Sequence, residues 1–125
     1  MLASSGERKI HNILETNNVS FAEEFSFAEL HTASGRYLRF DFAVFNKSNQ
    51  LLFLIEFNGK QHYVPVKKFG GKSGLNRQKY NDNRKVMFCR NHRIPLVIIP
   101  YWEEQNITFD YILEKAHIAR KEVLC

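Results

Sequence analysis

Two carboxylates sit where an ordinary strand would not place them. Asp41 lies inside "RFDFAVF" and Glu56 inside "LFLIEFN", each flanked by apolar residues. A charged carboxylate is seldom buried unless it is paired, hydrogen-bonded or bound to a metal. The segment "NKSNQ" (46–50) between them has the composition and length of a turn joining antiparallel strands. Pairing residue 45 with 51 across it puts Asp41 opposite position 55, one step from Glu56. A register shift or bulge of one residue would make the two carboxylates converge. Two such acids, a backbone carbonyl and water form the hard-oxygen set that suits Mg²⁺ or Mn²⁺. The plainer alternative is that either acid pairs with a nearby arginine, Arg36 or Arg39.

The strand "LLFLIEF" (51–57) runs directly into "NGKQHY", which gathers amide, cationic and imidazole groups within six positions. Around it the charge is uneven. Residues 60–93 hold ten basic side chains and a single acid, Asp82, a net charge of +9. The whole chain carries +5, so the remainder is acidic. Concentrated positive charge of this kind attracts a polyanion, and nucleic acid is the commonest one. Lys67, Lys68, Lys72, Arg77 and Arg84 are the candidate contacts to a nucleic-acid backbone.

These groups need a scaffold, and the pattern supplies one. The chain has 125 residues, 44% hydrophobic and 14% aromatic, enough for one compact domain spanning 1–125. "SSGE" offers a capping box from Ser4 to Glu7 for a helix over about 5–17, with Ile10, Ile13 and Leu14 on one face. Alternation in "VSFAEEFSF" (19–27) and "RYLRFDFAVF" (36–45) predicts two strands, and Leu38, Phe40, Phe42 and Val44 share one face of the second. The near-continuous apolar run 51–57 predicts a third strand, buried on both sides. "VPVKKFGGKSG" (64–74) reads as a mobile basic loop, followed by a helix over about 75–91 that packs through Val86, Met87 and Phe88. "IPLVIIPYW" (94–102) predicts a fourth strand and 106–123 a last helix. The order is αβββαβα: an α/β (α+β) fold with a mixed central sheet flanked by helices. The fourth strand returns through a helical crossover as a parallel neighbour.

No run of about 18 apolar residues exists, so a membrane-spanning helix is not expected. The polar N-terminus argues against a signal peptide. Cys89 and Cys125 lack a disulfide-type pattern, which suits a reducing, cytoplasmic setting. Cys89 and His92 form a lone C-x-x-H without a second half-site, so zinc is not expected. Trp102 is expected to fill the edge of the core, and Tyr63 to pack.

The order helix–strand–"RFDF"–strand–"IEFNGKQHY", followed by a basic helix and "IPLVIIPYW", resembles the PD-(D/E)XK nuclease superfamily. The nearest branch is the small phage- and bacterium-associated proteins akin to very-short-patch-repair-like endonucleases. The resemblance covers about residues 7–104. It implies a restriction-endonuclease-like core and metal-dependent cleavage of DNA. Asp41 matches the motif aspartate and Glu56 the second acid, both as ligands of Mg²⁺ or Mn²⁺, with the backbone carbonyl of Phe57 as a third. Glu7 matches an acid on the first helix that binds metal through water. The motif's lysine is missing, because Asn58 stands in its place. Asn58 can hydrogen-bond water or phosphate but carries no positive charge. Lys60 would share a face with Glu56 if the strand continued that far, and Gln61 could orient water. These two rank above Lys85, which could reach the site from the following helix. His62 could act as a general base or contact phosphate. Without a recognition domain, selectivity would come from DNA structure, a dimer partner or another protein. The alternative is an inactive nuclease fold that binds DNA or a host protein.

Overall fold

A computed structural model describes residues 3–124. Helix α1 (Ser5–Thr16) precedes three strands, β1 (Ser20–His31), β2 (Tyr37–Phe45) and β3 (Leu51–Asn58). Two 3-10 turns, Lys60–His62 and Lys67–Phe69, lead into α2 (Gly71–Asn91). Strand β4 (Leu96–Pro100), a 3-10 turn at Tyr101–Asn106 and α3 (Phe109–Leu124) complete the chain. The element order is the expected αβββαβα. The sheet order is β1-β2-β3-β4, antiparallel for the first two pairings and parallel for β3 with β4.

Each face of the sheet carries its own apolar layer. Ile10 and Leu14 of α1 and Ile112 of α3 pack on Phe42, Val44, Phe53, Ile55 and Phe57. Phe88 and Cys89 of α2 pack on Leu38, Phe40, Ala43 and Leu54 of the other face. The alternation of β2 therefore breaks at Asp41. Leu38 and Phe40 face α2, whereas Phe42 and Val44 face α1 and α3. The expectation that all four share one face is corrected here. Glu24, which the register sets opposite Asp41, has a left-handed φ of 50°. The alternation of β2 thus breaks at the point where the facing strand also leaves ordinary strand geometry.

Several boundaries also move. The segment 64–74 is not one open loop. It contains the turn Lys67–Phe69 and a bridge between Val66 and Gly71, and α2 begins at Gly71 rather than 75. Gly74 permits this early start, because a Cβ there would lie 1.7 Å from the Phe69 carbonyl oxygen. Met87 is exposed on α2, so Phe88 and Cys89 carry the packing instead. Trp102 is 60% exposed and does not fill the core edge.

Half of the expected capping box forms at the start of α1: the Glu7 N–H donates to Ser4 Oγ at 3.2 Å, while the Glu7 carboxylate accepts the Ser4 hydroxyl at 3.2 Å rather than the Ser4 backbone N–H. Gly6 lets this first turn settle on β3. A Cβ at Gly6 would come within 2.5 Å of ring atoms of Phe57, itself a core residue. Alanine is the better helix former by about 1 kcal/mol. Gly6→Ala should nonetheless destabilise the protein by about 1–3 kcal/mol through overpacking. A denaturant midpoint at or above wild type would contradict this close fit.

Candidate functional site

Strands β2 and β3 separate where the two carboxylates sit. Their paired residues end at Phe42 with Ile55, and a register shift between Val44 and Phe45 places Asp41 opposite Glu56. The one-residue irregularity required by the turn is present. Beyond Phe42 and Ile55 the ladder gives way to reciprocal side-chain contacts. The Asp41 N–H donates to Glu56 Oε1 at 3.1 Å, and the Phe57 N–H donates to Asp41 Oδ2 at 2.7 Å. Each acid thus satisfies a backbone donor that the fork would otherwise leave unpaired. Neither is paired with Arg36 or Arg39, and Arg39 lies 4.0 Å from Glu24 instead.

Helix α2 supplies the cation. Lys85 Nζ stands 3.2 Å from Glu56 Oε2, with both side chains nearly buried, and lies 5.4 Å from the centroid of the Phe40 ring. This places positive charge beside the second acid, where Asn58 cannot. Lys60 does not continue the face of Glu56: β3 ends at Asn58, and Lys60 enters a 3-10 turn. The preference for Lys60 and Gln61 over Lys85 therefore reverses on geometry. Gln61 instead borders a cleft of about 420 Å³ with Phe69, Arg77, Gln78 and Asn81. Asn58 is 7% exposed, and its Oδ1 is the buried acceptor without a partner among the described residues. A void of about 10 Å³ bounded by Glu56, Asn58, Asp82 and Lys85 adjoins it, room for about one water.

A second charged pair flanks the first. His62 Nδ1 lies 2.8 Å from Asp82 Oδ2, and Gln78 Nε2 donates to Asp82 Oδ1 at 3.0 Å. Asp82 holds the ring through Nδ1, which leaves Nε2 outside this pair. Asp82 and Lys85 are thus not a surface i, i+3 pair, since each turns to a different partner. This role of Asp82 was missed in the sequence. The available signal was its isolation: it is the single acid in a segment of net charge +9.

Burial dominates the electrostatics of the fork. It raises the Asp41 carboxyl above its ordinary range, against the Phe57 N–H hydrogen bond that favours the anion. The Glu7 carboxylate raises it further, and the charges of Lys85 and His62 oppose the shift. Glu56 is raised chiefly by burial and then by Asp41, with Lys85 pulling the other way. Glu7, on the first turn of α1, lines a cleft of about 450 Å³ that includes His11, Glu23 and Asp41. Glu7 therefore caps its helix and also faces Asp41. Cys89 is buried and its thiol is pushed up to about 12, which makes it a packing residue rather than a nucleophile.

The donors at the fork are hard oxygens, the chemistry that Mg²⁺ and Mn²⁺ select. Asp41, half-buried, and Glu56, buried, are mutually repelling carboxylates, an arrangement that a divalent cation would relieve. They are only two, however. Among the described residues no group of three or more His, Cys, Asp and Glu side chains is placed to hold a metal. The basic candidates lie beyond this centre. Lys67, Lys68, Lys72 and Arg77 are exposed. Arg84 is half-buried and donates to the His31 carbonyl at 2.6 Å.

No helix of the described residues is long and apolar enough to cross a membrane. No protein-family profile matches the chain, and no solved structure matches it. Over 86 residues, 68% of its length, the chain is 28% identical to "Uncharacterized protein 307L" of Invertebrate iridescent virus 6. It spans 44% of that relative.

Proposed function

We propose that this protein is a metal-dependent DNA endonuclease of the PD-(D/E)XK type that hydrolyses phosphodiester bonds. The observation that carries this reading is the convergence of Asp41 and Glu56 at one strand fork, with Lys85 against Glu56. Burying carboxylates costs several kcal/mol without compensation. A fold that needed only hydrogen-bond acceptors at the fork could use amides.

Asp41 and Glu56 would hold Mg²⁺ or Mn²⁺ together with the Phe57 carbonyl, and Glu7 would contribute through water. The ion supplies Lewis-acid polarisation of the scissile phosphate and lowers the pKa of bound water. Lys85 balances negative charge at Glu56 and takes the part of the absent motif lysine. His62 accepts the proton of the attacking water at Nε2 as its oxygen bonds to phosphorus, and Asp82 stabilises the imidazolium so formed; the P–O bond to the sugar oxygen breaks, and solvent water protonates that leaving oxygen. Lys67, Lys68, Lys72 and Arg77 contact phosphates, which gives affinity with little sequence selectivity. Gln61 and Lys60, at the mouth of the 3-10 turn, take a supporting part in holding water or the DNA strand.

Linear, nicked, branched and mismatched DNA incubated with Mg²⁺ or Mn²⁺ tests the reading. Cleavage should vanish in Asp41→Ala and Glu56→Ala. His62→Ala and Asp82→Asn should slow it by about 10²–10⁴-fold with DNA affinity unchanged. Cleavage indifferent to Asp41 and Glu56 would remove the site from consideration. One observation favours the second reading, a binding module without catalysis: both Glu56 oxygens are already engaged, by the Asp41 N–H and by Lys85. Salt-sensitive binding without cleavage of any substrate would select it.

A further inference from the structure

The chain has one tryptophan, and it is turned to solvent where the sheet meets the candidate site. Trp102 is 60% exposed and Tyr101 36% exposed in the 3-10 turn after β4. The Tyr63 ring lies 4.7 Å from Trp102 and 5.9 Å from Tyr101, and Tyr101 stands edge-on to Trp102 at 5.3 Å. Tyr63 follows His62 directly, with ring centroids 6.4 Å apart. Through Tyr63, the Trp102 ring lies within about 11 Å of the His62 imidazole. That reach is about three stacked base steps of 3.4 Å.

Three aromatic rings braced against one another resist displacement but leave the largest one wet. A core residue would bury that surface, and an isolated exposed Trp would lack the bracing. The carboxylates next to the platform are engaged elsewhere. Glu103 accepts the Tyr111 hydroxyl at 2.5 Å, and Glu104 accepts the Ser5 hydroxyl at 2.8 Å. Lys9 Nζ donates to the Glu104 carbonyl at 2.9 Å and brings a cation to the same turn. The turn thus joins an aromatic surface to the edge of the +9 segment through Tyr63.

We infer that Trp102, braced by Tyr63 and Tyr101, is a stacking platform for an unpaired DNA base beside the cleavage site, so that the substrate carries a single-stranded segment. This rests on the nucleic-acid reading above. Every base presents a π-face, so stacking tolerates sequence but requires that the base be unpaired. A fully paired duplex keeps its bases stacked on one another and offers the ring only its ends.

The single tryptophan makes the test direct. In EDTA, the protein is titrated with a twelve-nucleotide single strand, a duplex with a single-stranded overhang, and a blunt-ended duplex of two fully complementary strands. Trp102 emission should be quenched by the first two and much less by the third. Labelled-DNA anisotropy should show Trp102→Ala weakening overhang binding about tenfold or more. Blunt-duplex affinity should stay within about twofold of wild type, and Trp102→Phe should recover part of the loss. Circular dichroism of the exposed-site variants checks that the fold is intact. Equal affinity of wild type and Trp102→Ala for every DNA, or equal quenching by blunt duplex, would overturn the platform and leave the nuclease reading standing. Absence of salt-sensitive binding to any DNA would overturn both.

Discussion

Asp41→Asn should make the protein more stable at pH 8 while abolishing cleavage. The Asn side chain keeps an oxygen to accept the Phe57 N–H, so the contact at 2.7 Å survives. What disappears is a half-buried charge facing Glu56 and Glu7. A carboxyl whose pKa is raised by folding binds its proton more tightly in the native than in the unfolded state. Stability then falls as pH rises from the ordinary carboxylate range, near about 4, into the neutral range. Removing one such group should flatten that slope. The gain at pH 8 should be about 1 kcal/mol or more, a rise of about 3–6 °C in Tm for a chain of this size. At pH 4, where both forms are neutral, the difference should nearly vanish.

The same variant separates a metal site from a structural one. Mn²⁺ should raise the melting temperature of wild type by mass action and leave Asp41→Asn unmoved. Cleavage should fall at least about a hundredfold, as expected when a metal loses a ligand or its support. Destabilisation of Asp41→Asn by more than about 1 kcal/mol at pH 8 would show that the carboxylate charge itself holds the fork together.

What the sequence reveals about this site divides along a physical line. Local patterns carried the elements: the Ser4–Glu7 capping box, the apolar run of β3 and the turn at 46–50 are all short-range signals. They also brought Asp41 to within one residue of Glu56. The turn needed one residue of irregularity, and it occurs between Val44 and Phe45. Contacts set by the docking of α2 had no such signal. Whether Lys60 or Lys85 meets Glu56 depends on where β3 stops and how the 3-10 turn at Lys60–His62 rotates its side chains. Periodicity continues a strand face through Gly59, but the chain leaves it at Asn58. The pairing of His62 with Asp82 spans twenty residues and two elements, and only the lone acid in a basic stretch hinted at it. The exposure of Trp102 was equally hidden, because "IPYW" reads as core by composition. β4 ends at Pro100, and that stop carries the next two aromatics outward.

Lys85→Met isolates the charge that α2 brings to the fork. Methionine keeps the apolar length that packs along the helix, so the change removes the ammonium rather than the stem. Two losses follow, and they differ in pH dependence. The cation over the Phe40 ring at 5.4 Å contributes about 0.5–1 kcal/mol at any pH below the lysine range. The larger loss is the partner of Glu56, 3.2 Å away and nearly buried. Lys85 opposes the upward shift of Glu56, so without it that carboxyl is pushed higher still. At pH 8.5 the native state must either keep an unpaired buried anion or take up a proton against its concentration. An unpaired buried charge that had to stay would cost about 3–5 kcal/mol, but Glu56, raised to about 8, takes up a proton instead, which limits the pH-dependent loss at pH 8.5 to about 1 kcal/mol. At pH 5.5 Glu56 is already protonated, and only the smaller loss should remain. Lys85→Met should therefore unfold about 1–2 kcal/mol more easily at pH 8.5 than wild type, with the gap shrinking to about 0.5–1 kcal/mol at pH 5.5. The double variant Lys85→Met/Glu56→Gln should recover most of the difference at pH 8.5, because no charge is then left unpaired. Equal destabilisation at both pH values, or no recovery in the double variant, would show that Lys85 acts through packing alone and leave Glu56 without a cationic partner in its chemistry.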